Sequence, residues 1–318
     1  MNEFSIISKY LKPLSEKNVS SLNLSDDIFY ENKKKIAISL DTYVQDVHFI
    51  SSDPKFFLKK IIRSSLSDLY CKGVKPNSYF LSFSINKNLA TDNWLKKVNL
   101  ILKSEQKKFK IMLAGGDTTK STKLTITIVV LGNCKNKPVF RKGCKPNDDI
   151  YVTGNIGDSF VGLCILKRKF NFGKLNKFFL KSFYEPNIPI KLQPHLYKVA
   201  KSSIDISDGI LQDLSHLCSF RKLGAIIDLK SVPLSAQCKI LINNNKINIR
   251  DIFSQGDDYQ FLFTSGLENR SKIKKLSKRL NIKITKIGKI NKNKLICFKY
   301  KNEVFGVSSL KKGYTHSF

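Results

Sequence analysis

What the chain lacks narrows it first. Its seven cysteines (Cys71, Cys134, Cys144, Cys164, Cys218, Cys238 and Cys297) are scattered singly, odd in number, and form no C-x-x-C pair. Disulfide frameworks and zinc sites both need clustered spacing, so reduced thiols of a cytoplasmic protein are expected. The four histidines show no H-x-x-x-H pattern. Neither a Walker A motif nor G-x-G-x-x-G is present, so the common nucleotide folds are not indicated. The longest apolar run, near Ile126 to Leu131, is far too short to span a bilayer, and no membrane partner is expected. The first residues lack the charged start, apolar core and small-residue cleavage site of an export signal.

Acid is also scarce: 25 Asp and Glu stand against 56 Lys and Arg, for a formal charge of +31. Such a charge raises a nucleic-acid reading. Three features oppose it: only seven of the cations are Arg, Lys is spread along the whole length, and Asn, Ile, Phe and Tyr are abundant. These residues share A/T-rich codons, so base composition alone accounts for the excess. A solvated basic surface with no specific nucleic-acid partner is the expectation.

The few carboxylates are not scattered evenly. They gather in LAGGDTT (113–119), SSIDISDGILQDLSH (202–216) and SQGDDYQFLFT (254–264), beside glycines and short apolar runs. Carboxylates packed together repel unless cations neutralise them, which points to a site for divalent ions and a polyphosphate.

At 318 residues the chain has room for two domains. The patterning predicts a helix over Glu3 to Leu14 and a strand over Ile36 to Thr42. A helix from Asp53-Pro54 to Leu69 follows, stopped by Gly73 and Pro76. Beyond it lie a strand over Ser78 to Ile85, a helix over Asp92 to Phe109, a strand Lys110 to Ala114 entering a GGD turn, and a strand over Leu124 to Gly132. Residues 133–148, rich in Gly, Pro, Asn and Lys, read as a connection between domains. Strands and helices alternate beyond it, with helices expected over Lys191 to Ala200, Ile210 to Phe220 and Leu267 to Leu280. The alternation indicates an α/β (α+β) protein of two α/β domains, 1–137 and 138–318.

Each constellation has a plain reading beside its chemical one. Gly115 and Gly116 permit positive φ and close approach of a phosphate, with Asp117 at a strand exit for a metal; a glycine turn with a solvated Asp fits equally. In IDISDGILQDL, helix capping explains one of Asp205, Ser207 and Asp208, not all three, and an extended segment aims Asp205 and Ser207 to the same side. A solvated loop explains Asp26, Asp27 and Asp41 as well as a site does. Asp68, between Leu66 and Leu69, points toward protein. His48 reads first as a core or turn histidine.

Taken in order, SDD (25–27), ISLDTYVQDVHF (38–49), SSLSDLYCKGVKP (64–76), LAGGDTT, RKGCKPNDDIYVTGNIGDSFVGL (141–163), SIDISDGILQDLSH (203–216), GDDYQFLFT (256–264) and KKGYTHSF (311–318) resemble the thiamine-monophosphate kinases. GGDT occurs across the wider superfamily of aminoimidazole-ribonucleotide-synthetase-like ATP enzymes; the combination is that of the kinase. The resemblance implies an N-terminal domain that dimerises through its sheet, a synthetase-like C-terminal domain, and conversion of ATP and thiamine monophosphate to ADP and thiamine diphosphate. It implies several Mg²⁺ ions, held at Asp27, Ser39, Asp41, Asp68, Asp117, Asp205 and Asp208. ATP contacts fall on Gly116, Asp117, Arg141 and Ser207, and substrate contacts on His48, Asp257 and Tyr314. Ser25 stands for the family's Gly, Leu40 for its Thr, Asp257 for the Glu of GEDY, and SFYEP (182–186) for an Arg-rich stretch. An anionic phosphate acceptor needs no general base, in keeping with the lack of a Ser/His or Cys/His pair. The rival readings are another ATP enzyme of the superfamily and a non-catalytic basic binding protein.

Overall fold

A computed structural model describes residues 2–300 and 303–306. A short helix, α1 (Glu3–Ile6), is capped by the Asn2 side chain, and irregular helical turns follow to Leu24. The expected helix to Leu14 therefore runs as an α, a π and a 3₁₀ segment in succession, with Pro13 inside the last.

The first half holds β1 (Phe29–Glu31), β2 (Ile36–Val44), α2 (Leu58–Tyr70), β3 (Lys75–Ile85), α3 (Asp92–Phe109), β4 (Met112–Lys120) and β5 (Thr125–Asn133). They form one sheet in the order β1-β2-β5-β3-β4, antiparallel except for the parallel β3–β4 pair that α3 connects. Helix α3 matches its predicted limits, and the structure shows what closes each end. Thr91 accepts a hydrogen bond from the Trp94 N–H, and Lys110 closes the helix in the left-handed region.

Helix α2 is almost wholly buried, Arg63 and Lys60 included. It packs on one face of the sheet. The opposite face is open: Leu40 is 63% exposed and Met112 73%, with Phe80 also exposed.

The second half holds β6 (Asp149–Thr153), α4 (Asp158–Leu166), α5 (Asn176–Tyr184), β7 (Ser202–Asp205), α6 (Ile210–Ser219), β8 (Gly224–Asp228), α7 (Ala236–Asn243) and α8 (Ile249–Phe253). After these come β9 (Phe261–Ser265), α9 (Arg270–Leu280), β10 (Ile284–Asn291), β11 (Ile296–Tyr300) and β12 (Glu303–Gly306). Its sheet runs β12-β11-β8-β10-β6-β9-β7. Strands β6, β7 and β9 are buried at every position. The period of two explains this. Ile150, Val152, Ile204 and Leu262 face a core of the second half, whereas Tyr151, Phe261 and Phe263 belong to the core that α2 and the first sheet share. The two halves therefore meet through side chains rather than across a solvated linker. The segment 133–148 takes part: Val139 and Phe140 are buried, and the Val139 N–H donates to the Lys72 carbonyl at 2.9 Å.

Two expectations are corrected here. The GGD segment is not a turn; Gly115, Gly116 and Asp117 lie inside β4, pairing with Phe80, Leu81 and Ser82. Neither glycine has a positive φ. Gly116 is required for another reason, since a Cβ there would sit 1.9 Å from the Leu81 carbonyl oxygen. The helix expected over Lys191 to Ala200 is 3₁₀ from Ile190 to Lys198, with Pro194 removing an i→i−4 donor.

Candidate active site

Where α2, β2, the 24–27 loop and the β7–α6 turn converge, a cleft of about 970 Å³ opens. Its lining combines carboxylates with apolar and aromatic groups, including Phe57, Phe160 and Phe183.

Alternation along β2 sends Ser39, Asp41 and Tyr43 toward α2. Ser39 Oγ donates to Asp68 Oδ2 at 2.5 Å. The Tyr43 hydroxyl lies 3.1 Å from Asp41 Oδ2 and within hydrogen-bond reach of the Ser64 and Ser65 hydroxyls, at 2.5 and 2.9 Å. From the other side, β7 delivers Asp205, which is 2% exposed. Its Oδ2 has no hydrogen-bond partner. The turn after it brings Ser207 and Asp208 to the cleft. Asp208 accepts from Gln212 Nε2 at 2.9 Å. The first turn of α6 is held from within by Asp213, whose Oδ2 accepts the N–H groups of Asp208 and Gly209 at 3.3 and 3.1 Å.

Burial and mutual repulsion make this cluster electrostatically expensive. Burial first, then the neighbouring Asp27, pushes the Asp205 carboxyl up to about 7. Asp208 is raised to about 6, by burial and then by Glu3. Burial followed by the charges of Asp41 and Asp205 holds Asp68 well above the carboxylate range, and Asp41 is raised by burial.

Asp27 behaves oppositely. Burial alone would raise it, but Arg141 and Lys72 beside it prevail and hold it well below the ordinary range. Arg141 grips both its oxygens, through Nη2 to Oδ1 and Nε to Oδ2, while Lys72 Nζ lies 2.6 Å from Oδ2. Lys72 itself, raised above the usual lysine range by Asp26 and Asp27 against the effect of burial, stays charged.

Asp257, also in the lining, sits in the left-handed region (φ 69) and pairs with Lys60 Nζ at 2.8 Å. Lys60 also lies 3.7 Å from the centroid of the Phe183 ring. His48 lines the cleft, and its Nδ1 accepts the Val44 N–H at 3.0 Å, as a turn histidine does.

Of the residues singled out from sequence, Asp27, Ser39, Asp41, Asp68, Arg141, Asp205, Ser207, Asp208, His48 and Asp257 all line this cleft. Gly116 and Asp117 do not. The pairing runs Thr42–Thr127–Ser82–Asp117 across four strands, so Asp117 shares the exposed face with Thr42, opposite to Asp41. Tyr314 lies outside the described residues. Lys60, Lys72, Tyr43 and Asp213 contact the cleft's carboxylates or turns, and sequence reasoning passed over them. Asp213 stood in the quoted motif, one turn into the helix, where spacing could have flagged it; the lysines were lost among many like them.

The comparisons with known proteins agree with this architecture. Residues 25–134 match the model of AIR synthase related protein, N-terminal domain. The thiamine-monophosphate kinase of Buchnera aphidicola subsp. Schizaphis graminum is 35% identical over 91% of this chain and 91% of its own. That of Escherichia coli K12 is 31% identical over 99% of this chain and 98% of its own. The chain belongs to the thiamine-monophosphate kinase family. A solved structure of a family member, AaThiL complexed with AMPPCP and TMP, superposes with a TM-score of 0.85 at 25% identity, covering 99% of this chain and 97% of that one. The Aquifex aeolicus thiamine monophosphate kinase gives a TM-score of 0.78 over 93% of this chain and 97% of that one.

Proposed function

We propose that the chain is a thiamine-phosphate kinase, transferring the γ-phosphoryl group of ATP to thiamine monophosphate directly, with no phospho-enzyme. Family membership over nearly the whole chain carries this reading. The cleft fits it: a polyphosphate needs cations, which the carboxylates can hold, and a heteroaromatic cation needs apolar, acid-bearing walls, and the lining has both. The acceptor oxygen is already anionic, so the chain has no proton to remove. Its task is to bring two polyanions together and hold them in line.

Asp41, Asp68, Asp205 and Asp208, with the Ser39 hydroxyl, are the residues that would hold Mg²⁺. Their donors are all oxygen, the hard set a divalent cation of this kind takes, and Asp205 presents a buried oxygen with no protein partner. Bound there, Mg²⁺ would screen the repulsion between the two phosphates and stabilise charge on the group in transfer. Arg141 and Ser207 face the nucleotide phosphates, beside the N-terminal end of α6. His48 and Asp257 face the thiamine phosphate, with Lys60 orienting the Asp257 carboxylate. The Tyr314 contact belongs to the same assignment.

Gly116 and Asp117 serve the reaction only from a second copy. The open sheet face that carries Asp117 also exposes Leu40, Phe80 and Met112, an apolar surface of the kind a homodimer covers. A cytoplasmic setting agrees with the unpaired cysteines, and no helix among the described residues is long and apolar enough to cross a membrane.

ADP release measured with thiamine monophosphate, thiamine and aminoimidazole ribonucleotide precursors tests the assignment. Turnover confined to thiamine monophosphate and abolished by chelation is expected. Turnover only with a purine precursor would move the chain elsewhere in the superfamily.

A further inference from the structure

Lys72 has no exposed surface, yet it is a cation placed inside the carboxylate cluster. An ammonium group has three N–H donors. Nζ has three acceptors in reach: Asp26 Oδ1 at 3.0 Å, Asp27 Oδ2 at 2.6 Å and the Ser203 carbonyl at 2.7 Å. These come from the 24–27 loop and from β7, while Lys72 itself follows the end of α2. The ammonium therefore joins three elements at the seam between the two halves, which is what a structural divalent ion would do with the same carboxylates. Close by, the ligand atoms of Asp27, Cys71 and Asp205 lie within 4.8 Å of one another, a spacing a metal ion could span.

Both oxygens of Asp27 are thus taken by cations of the chain itself, one by Arg141 and the other by Arg141 and Lys72. Asp205, by contrast, keeps a buried oxygen without a partner. The cluster divides into a part neutralised internally and a part left for ligands.

We propose that Lys72 is a resident counter-ion that replaces a divalent cation at the Asp26–Asp27 end of the cleft, so that Asp27 is a partner of Lys72 and Arg141 and not a metal ligand. This deepens the kinase reading and rests on it for the metal site at Asp41, Asp68, Asp205 and Asp208. Lys72 is a positioning residue in this scheme: it fixes the loop and the strand that present Asp205, and it never meets the transferring group.

The experiment counts bound Mn²⁺ per chain by the loss of the free-ion electron paramagnetic resonance signal, in the absence of nucleotide. It compares the wild type, Lys72→Met, Asp27→Asn and the double variant. Lys72→Met is expected to bind one Mn²⁺ more than the wild type, and the double variant is expected to lose that added ion. Lys72→Met should also melt at a temperature that rises steeply with Mn²⁺ up to about 1 mM, by ligand linkage, more than the wild type does. A lysine that only filled space would give neither result. Asp27→Asn, nearly isosteric, is expected to leave the wild-type count unchanged. Equal counts in the wild type and Lys72→Met overturn the proposal, and so does a lower count in Asp27→Asn, which decides the matter even if Lys72→Met does not fold. A wild type that binds no Mn²⁺ while Lys72→Met binds one supports the role of Lys72 and defeats the metal assignment of the remaining carboxylates, so the two failures are distinguishable.

Discussion

Replacing Asp205 by Asn should make the ion-free protein more stable and the enzyme far slower. The carboxyl is 2% exposed, with one oxygen unpaired, and its pKa is raised from 3.8 to about 7 by burial and by Asp27. A folded-state pKa above the unfolded one penalises the ionised form. The penalty is absent below the unfolded value near 4, grows as pH rises from there to about 7, and is flat above. A shift of this size corresponds to a penalty on the order of 4 kcal/mol at pH 8. Asn keeps a buried polar group that must find partners, which leaves a net gain of roughly 1–3 kcal/mol. Urea unfolding with a chelator at pH 5 and pH 8 reads it: the advantage of Asp205→Asn should be several-fold larger at pH 8. Saturating Mg²⁺ should abolish or reverse that advantage, because the ion stabilises only the carboxylate form. In the same variant kcat should fall by at least about two orders of magnitude. An Asn variant no more stable than the wild type at pH 8 without divalent ions would refute the claim that Asp205 is held ready at a cost in stability.

Asp117→Asn should be as inactive as Asp205→Asn, yet co-refolding the two should restore activity toward about a quarter of wild type, the share of sites that receive both carboxylates from different copies of a dimer. No recovery would place Asp117 outside the site. Glu105→Gln should cost about 3–5 kcal/mol, read by denaturant unfolding, because it strands the buried Arg63 of α2, which binds Glu105 of α3 through Nε and Nη2 at 2.8 and 2.9 Å. Labelled DNA and RNA should bind weakly and be released by about 0.2 M salt with no sequence preference, since a +31 chain displaces counterions from any polyanion. Sequence-dependent binding at that salt would overturn the reading of the lysine excess.

The sequence was most legible where several local signals agreed. Helix α3 has a long amphipathic pattern, and its limits, Asp92 to Phe109, were read directly, although its left-handed close at Lys110 has no mark in the sequence. Part of the cleft was legible for a different reason: in a chain with so few acids, clustering is itself a signal, and it marked Asp205, Asp208 and Asp257, while Asp27, Asp41 and Asp68 were assigned only through the family resemblance. The GGD segment was misread because glycine serves two needs that look alike in sequence. One is a positive φ; the other, which Gly116 meets, is the absence of a Cβ where a neighbouring strand presses close.

Charge balance inside the cleft could not be read from sequence at all. A buried lysine is rare enough to be a strong clue in most chains, but here Lys72 is one of a great many lysines, and nothing in SDLYCKG separates it from those in solvent. Its role appears only when Asp26, Asp27 and Ser203, more than forty and more than a hundred residues away along the chain, are brought to its ammonium group. The same drift toward lysine that hides this residue also explains how it could be tolerated. A cation that enters a cluster of carboxylates meets favourable charge on arrival, so a substitution that would be costly in an apolar core costs little beside Asp26 and Asp27. Composition and mechanism are then linked: in a lysine-rich chain, the chain itself can supply part of the positive charge that the carboxylates demand, and the ions have correspondingly less to do.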